Sequence, residues 1–146
     1  MTDCEGADFA PVCIEYCRAI EILLNSHLIR PFKASHNVTS LVSSNNNYKQ
    51  LEENRDLTLG ECMFLFKKCN ASYYPTRELK SFVESRVSKP SEFWNKVVPQ
   101  LENMNTNYRR KSAHTEIMRY EDMVSVRQIA LGIGNINVFY SLLDHR

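Results

Sequence analysis

The feature that most constrains the fold is the helical spacing of apolar residues near the start of the chain. Between residues 9 and 29 the apolar side chains recur at steps of three and four, which places them on one stripe of a helix. Asp8 should cap this helix, Pro11 falls in its first turn, where a missing N–H is harmless, and Pro31 should mark its end. The pattern therefore predicts one long amphipathic helix.

A second helix start is indicated by the sequence Thr58-Leu-Gly-Glu61, which matches a capping box. In such a box the Thr58 hydroxyl accepts a hydrogen bond from the third backbone N–H of the helix, and the Glu61 side chain reaches back to the N–H of the cap. We expect the helix that follows to end near Cys69. It should bury a mixture of Met63, Phe64, Phe66 and Cys69.

Three more helices are expected toward the C-terminal end of the chain. They run from Thr76 or Arg77 toward Val87, from Pro90 onward, and from about Tyr120 to Leu143. The second of them should direct inward the side chains of Phe93, Trp94, Val97, Val98 and Leu101. Pro99 should kink that helix or break it into two pieces. In the last helix, Gly132 and Gly134 indicate close approach of a neighbouring helix.

The region 33–57 has the composition of a surface loop. It is rich in Ser and Asn, includes the run S-S-N-N-N, and is too long for an ordinary connection. We expect a variable polar loop that is mobile or poorly packed, with at most a short helix around residues 48–53. Deleting its central residues 43–47 should then leave the melting temperature nearly unchanged.

No stretch alternates between apolar and polar residues for long enough to predict a strand, so the fold class is all-α. We expect a single domain over residues 1–146, built as an antiparallel bundle of four to six helices. No apolar run approaches the ~20 residues that cross a bilayer, and the five cysteines form no CxxC pair. These features favour a cytoplasmic protein with buried free thiols and no metal site.

The most unusual stretch is Y-R-R-K-S-A-H-T-E, at residues 108–116. The net charge of the chain is only +1, so no overall field draws in nucleic acid, and phosphate binding would need a local cluster such as this one. Arg109 and His114 are five residues apart, whereas Arg110 and His114 share a face if the stretch is helical. On spacing alone, a solvated basic turn with an incidental histidine is the simpler interpretation.

In its context the stretch resembles the Y-R-N-x-x-A-H signature of the HEPN superfamily (higher eukaryotes and prokaryotes nucleotide-binding domains). HEPN domains are all-α bundles in which the Arg and His precede a long final helix, the position of the helix predicted from Tyr120. The N-terminal C-R-A-I-E-I-L-L-N resembles the family's k-A-l-E helix and places Glu21 at its acidic position. T-L-G-E is similar to the start of an inner helix, so the resemblance covers nearly the whole chain except the region 33–57.

The resemblance implies a metal-independent endoribonuclease of the toxin or antiviral-defence type, with no cofactor. In such an enzyme the RNA 2′-hydroxyl attacks the adjacent phosphate and leaves a 2′,3′-cyclic phosphate and a 5′-hydroxyl. His114 would be the general acid or base, since an imidazole pKa of about 6.5 allows proton transfer near neutral pH. Arg109 would hold the phosphate through its planar guanidinium and stabilise the charge that grows on it.

The resemblance also implies supporting residues and partners. Arg110 and Lys111 would contact phosphates, while Tyr108 would stack on a base or close the core. Glu21 would orient Arg109 or form a surface ion pair. HEPN domains commonly dimerise about a two-fold axis, so the motifs of two subunits would share one cleft in a homodimer. An antitoxin or a sensor domain is a further partner of such enzymes.

One position departs from the family pattern, because Arg110 stands where a small polar residue usually follows the Arg. This departure favours an alternative class, a HEPN-like module that binds RNA or a nucleotide, or that mediates dimerisation, without cutting RNA. A helical interaction domain taken from a larger protein is a third interpretation.

Overall fold

A computed structural model describes residues 8–71, 76–109 and 119–131, and its regular structure is helical throughout these ranges. The first helical path joins α1 (Ala10–Leu24), a π-helical segment (Asn25–Ile29) and α2 (Arg30–Ser35). The middle of the chain contains α3 (Val38–Ser44), a 3-10 helix (Asn46–Glu52), α4 (Leu59–Cys69) and α5 (Arg77–Arg86). A second long path joins α6 (Pro90–Glu92), a π-helical segment (Phe93–Val97), α7 (Val98–Asn103) and a further π-helical segment (Met104–Arg109), and α8 (Tyr120–Leu131) follows.

These ranges contain no strand, which confirms the all-α prediction. Within them α1 lies at the centre of the packing, against α4, α8 and the Met104–Arg109 segment. α4 packs in addition against α5 and α7. Edge-to-face aromatic contacts join α4 to the second long path, since the ring centroid of Phe66 lies 5.8 Å from that of Phe93 and 6.1 Å from that of Trp94. None of the described helices has the length and apolar character needed to cross a bilayer.

The predicted helix starts are largely confirmed. Thr58 Oγ1 accepts a hydrogen bond from the Glu61 N–H at 3.2 Å, and Glu61 Oε1 accepts one from the Thr58 N–H at 2.9 Å, so the capping box is complete. α1 begins one residue later than expected, because Phe9 and not Asp8 occupies its cap position. Asp8 Oδ1 still accepts a hydrogen bond from the Ala10 N–H at 3.0 Å.

Pro31 does not end the first helix, because a π-helical turn precedes it. A proline inside an α-helix removes one N–H, and its ring crowds the carbonyl four residues earlier. The wider turn of Asn25–Ile29 accommodates the ring. The carbonyl four residues before Pro31 belongs to His27, and it accepts a hydrogen bond from Arg86 Nε at 2.8 Å. α5 therefore supplies the donor that the proline lacks.

The same arrangement surrounds Pro99. The π-helical Phe93–Val97 segment comes directly before α7, and helix continues from residue 90 to residue 109. Pro99 therefore does not break the helix, contrary to one of the two predicted outcomes. The predicted inner face is confirmed, since burial is nearly complete for Phe93, Trp94, Val97, Val98 and Leu101.

The prediction that the region 33–57 is a loop was wrong, whereas the short helix expected around residues 48–53 is confirmed by the 3-10 helix Asn46–Glu52. The region contains the end of α2, all of α3 and the 3-10 helix, and it buries Tyr48, Leu51 and Leu57. The Tyr48 hydroxyl donates to Glu78 Oε1 at 2.8 Å and accepts from the Leu79 N–H at 3.3 Å. Tyr48 therefore anchors the region to α5 although its average composition is polar.

Two of the asparagines in this region, Asn37 and Asn45, act as helix caps. Asn37 Oδ1 accepts from the Ser40 N–H at 3.0 Å at the start of α3, and Asn45 Oδ1 accepts from the Asn47 N–H at 3.0 Å at the start of the 3-10 helix. Asn is favoured at such positions because its short side chain satisfies a backbone donor that has no partner within the helix. These asparagines thus mark the starts of two short helices.

The cysteines of the described ranges behave as small hydrophobic residues, as expected. All four of them are free and buried. Burial raises the pKa of the Cys13 thiol to about 11, with the carboxylates of Asp122 and Asp8 adding to the effect. Burial likewise raises the pKa of Cys69 to about 11, so both thiols stay protonated at neutral pH.

Candidate functional site

The predicted Arg109–His114 site begins at the end of a described helical segment. Met104–Arg109 is π-helical, and Arg109 is its last residue. The side chains of Tyr108 and Arg109 lie outside the described residues, as do residues 110–118. The roles assigned by sequence therefore stay predictions for Tyr108, Arg109, Arg110, Lys111 and His114.

Neighbouring helices hold the backbone that carries Arg109. The Met104–Arg109 segment packs against α1 and α8, and the Met104 side chain is fully buried. Arg109 follows this anchor by five residues in the same helical path, so the position of its backbone is fixed relative to α1. α1 also carries Glu21, the residue predicted to orient Arg109. The fold thus packs α1, which carries Glu21, against the segment that carries Arg109.

Glu21 has a structural role that the sequence did not indicate. Its Oε1 atom accepts a hydrogen bond from the Leu59 N–H at 2.9 Å, at the first residue of α4. The first N–H groups of a helix have no partner within it, and a carboxylate also interacts favourably with the positive end of the helix dipole. Glu21 therefore ties α1 to the start of α4. Its predicted contact with Arg109 stays a prediction.

Asn25 continues this connection one turn later and was missed by sequence reasoning. Its Oδ1 atom accepts from the Leu57 N–H at 2.9 Å, and its Nδ2 group donates to the Leu57 carbonyl at 2.9 Å and to the Glu21 carbonyl at 2.7 Å. Asn25 is buried, so these bonds satisfy a polar group that would otherwise be costly to remove from water. The only available signal was the four-residue spacing of Glu21 and Asn25, which places both on one face of the first helical path.

Charged side chains surround the capping box. The Arg55 guanidinium donates to both carboxylate oxygens of Glu61 at 2.7 Å and also pairs with Glu53. The Arg55 hydrogen bonds and the Thr58 N–H lower the pKa of Glu61 to about 2, against the opposing effect of its partial burial. Glu61 is therefore ionised at neutral pH, and its oxygens are engaged by partners within the chain.

A cleft opens on the outer face of α4, next to the Met104–Arg109 segment. Its volume is about 390 Å³, and we call it the α4 cleft. Gly60, Phe64, Lys67 and Lys68 line it from α4, since residues at these spacings share one helix face. Glu102 and Asn105 line the opposite wall.

Phe64 faces this cleft, and its predicted burial was wrong. Its side chain is 41% exposed, and Lys68 Nζ lies 5.3 Å from the centre of the ring. The buried stripe of α4 instead comprises Leu59, Cys62, Met63, Leu65, Phe66 and Cys69. These buried residues face α1, α5 and α7. Phe64 therefore lies on the outward face of α4.

No group of three or more His, Cys, Asp or Glu side chains suited to a metal ion occurs among the residues that the structure describes. No protein-family model matches the chain, and no curated protein or solved structure is similar enough to count as a relative.

Proposed function

We propose that the chain is a metal-independent endoribonuclease that cuts RNA by attack of a 2′-hydroxyl on the adjacent phosphate. The observation that carries the proposal is the placement of the Arg109 backbone. Arg109 ends a helical segment that is anchored by Met104 against α1, the helix that bears Glu21. The all-α fold is compatible with the HEPN-like pattern proposed from the sequence.

The residue types suit this chemistry. A His side chain at position 114 can move protons near neutral pH, and an Arg side chain at position 109 stays charged and offers two parallel donors to a phosphate. Arg110 and Lys111 add positive charge beside this pair, and Tyr108 offers a ring on which a base could stack. Cleavage in this manner supports a role in toxin–antitoxin or antiviral-defence systems, with an antitoxin or sensor domain as the controlling partner.

A second candidate function is a HEPN-like module that binds RNA without cutting it. The observation that favours it is Arg110, which replaces the small polar residue usual after the Arg of the motif. A longer cationic side chain at this position increases affinity for phosphate without contributing to proton transfer.

The test is RNA cleavage by the wild-type chain and by His114→Ala. Removal of one general acid–base group should lower the cleavage rate by about 100- to 10,000-fold while RNA binding is retained. Arg109→Lys should also lose most activity, because an ammonium keeps the charge but not the planar pair of donors. Cleavage should continue in EDTA. Unaltered cleavage in both variants would remove the proposed site.

Two further lysine variants form a matched pair. Lys111→Ala removes a cation of the motif, and Lys96→Ala is its control. Lys96 is exposed on the Phe93–Val97 segment, which precedes Arg109 by more than two helical turns, so its loss should leave cleavage unchanged. Lys111→Ala should weaken RNA binding modestly and most at low salt, and it should reduce the salt dependence of binding, as expected of a lost phosphate contact. A wild-type chain that binds RNA but never cuts it would identify the binding module as the correct function.

A further inference from the structure

One face of α1 is turned toward solvent. Ile22 on this face is the most exposed large apolar side chain of the described ranges, at 56%, and three further exposed residues lie in line with it. The four residues follow one another at steps of four, three and four, which keeps them on one side of the helix. We call this row the α1 stripe, and it consists of Pro11, Glu15, Arg18 and Ile22.

The order of side chains in the α1 stripe is the same from either end, apart from the sign of the charge. Pro11 and Ile22 are its apolar ends, and the two inner residues are oppositely charged. Neither Glu15 nor Arg18 forms an ion pair with another described residue. The midpoint of the stripe lies between residues 16 and 17, so the stripe is complementary to itself about that point.

A two-fold axis through this midpoint pairs two copies of α1 in opposite directions. Glu15 of one copy then faces Arg18 of the partner subunit, and Pro11 faces the partner's Ile22. Each contact occurs twice, because the two copies are related by the axis. The apolar contacts lie outside the two ion pairs, and their exclusion of water strengthens the attraction between the charges.

This pattern favours a second copy of the chain over an unrelated partner. An interface between identical copies about a two-fold axis must be complementary to itself, whereas binding to a different protein places no such condition on one surface. Inner charges of one sign would repel their own copies across the axis. Val12 adjoins Pro11 and is 41% exposed, so it enlarges each apolar end of the stripe.

We propose that the α1 stripe is an interaction surface for a second copy of this chain, paired antiparallel about a two-fold axis at the midpoint of the stripe. The Met104–Arg109 segment packs against α1, so this pairing brings the two segments that carry Arg109 toward one axis. The role of the pairing in cleavage rests on the proposed function. A single pair of helices buries a small area, and we expect a dissociation constant in the micromolar range.

The test is sedimentation equilibrium of the full chain without RNA, over a range of protein concentrations. Glu15→Arg and Arg18→Glu should each raise the dissociation constant about tenfold or more, because like charges then meet in both ion pairs. The double variant that carries both changes exchanges the charges and should dimerise like the wild type. Circular dichroism should show the same helix content in all four proteins, since both positions are exposed.

A mixture and a matched control complete the test. Equimolar Glu15→Arg and Arg18→Glu chains should form a heterodimer, because one chain presents two positive charges and the other two negative charges. Lys96→Glu changes the net charge as much as Arg18→Glu does, at an exposed position outside the α1 stripe, and should dimerise like the wild type. A wild type that stays monomeric, or single variants that dimerise as well as the wild type, would overturn the proposal.

Because dimerisation is measured without RNA, its outcome is separate from that of the cleavage proposal. If both proposals hold, each single variant should lose cleavage at concentrations where it is monomeric, and the mixture should regain it. A dimer that follows the charge pattern but cuts no RNA would reject the nuclease and retain the α1 interface. Cleavage that depends on His114 in a chain without this dimer would reject the α1 interface and retain the nuclease.

Discussion

At the start of α4, individual side chains satisfy backbone donors that the helix cannot satisfy itself. Thr58 and Glu61 do this within the local sequence, and Glu21 does it from another helix. The local pair follows a known spacing, so it could be predicted from the sequence. The contribution of Glu21 could not, because 38 residues separate it from Leu59 and nothing in the intervening composition indicates their contact.

Replacing Glu61 by Gln should lower stability at neutral pH but not in acid. The glutamine keeps an oxygen for the Thr58 N–H and loses the ion pair with Arg55. The pKa of Glu61 is lowered from 4.5 to about 2 in the folded chain, so its charge stabilises the fold fully above pH 4.5, and this contribution is lost as the pH falls toward 2. Thermal unfolding should show a loss of about 0.5–1 kcal/mol at pH 7, given the solvent exposure of the pair.

Glu52→Gln is a suitable control for this measurement, because Glu52 is exposed on the 3-10 helix. Its stability should differ little from the wild type at either pH. A destabilisation by Glu61→Gln that stays constant between neutral and acidic pH would show that the charge is not responsible.

Both long helical paths combine a proline with a preceding π-helical segment. In the first path, the Asn25–Ile29 turn makes room for Pro31, and Arg86 bonds the His27 carbonyl. Sequence rules predicted a helix end at Pro31 because they treat the chain locally. The donor that permits continuation comes from α5, so only the packed structure could reveal it.

A double-mutant cycle should detect this relation between Pro31 and Arg86. Arg86→Ala alone should destabilise the fold by about 1–2 kcal/mol, because a partly buried carbonyl loses its donor. In a Pro31→Ala background, a backbone N–H returns to this turn, and the same substitution should cost about 1 kcal/mol less. Denaturant unfolding of the four proteins gives the coupling. Additive effects would mean that Arg86 acts through its packing on Phe82 instead.

Deletion of residues 43–47 should destabilise the chain strongly, the reverse of what composition suggested. The deletion removes the end of α3 and the Asn45 cap, and it shortens the connection that lets Tyr48 and Leu51 reach the core. Displacing these two side chains should cost about 3 kcal/mol or more and lower the melting temperature by roughly 10 °C. Replacing the same five residues with glycine and serine keeps the length and should cost less. An unchanged melting temperature after the deletion would restore the loop interpretation.

At the scale of the whole molecule, the resemblance to HEPN domains implies that two copies of the chain would share the proposed cleavage site. The large apolar side chains that remain exposed in the described ranges are Val12, Ile22, Phe64 and Tyr120. Gly132 and Gly134, which suggested close helix contact, lie outside those ranges. The two-fold homodimer with both motifs facing one cleft is therefore tested best through function.

Mixing two inactive variants should restore part of the activity if the cleft is composite. A dimer of one His114→Ala chain and one Arg109→Ala chain retains one His and one Arg from different subunits, so cleavage should exceed that of either variant alone. Sedimentation should give twice the mass of one chain. His114→Ala mixed with itself is the control. A structure in which the two His114 side chains occupy opposite outer faces of the assembly would exclude the shared cleft.

The sequence by itself determined the helical class, the capping box and the inner face of the helix that begins at Pro90. Each of these depends on residues close together in the chain, where fixed helical spacing decides which side chains meet. The tertiary structure decided that Pro31 lies within a helix, that Tyr48 anchors a polar region, and that Glu21 caps α4. Each of these depends on a partner from a distant segment, which local pattern cannot supply. For the same reason, the α4 cleft appears only when Phe64 of one helix and Asn105 of another share a surface.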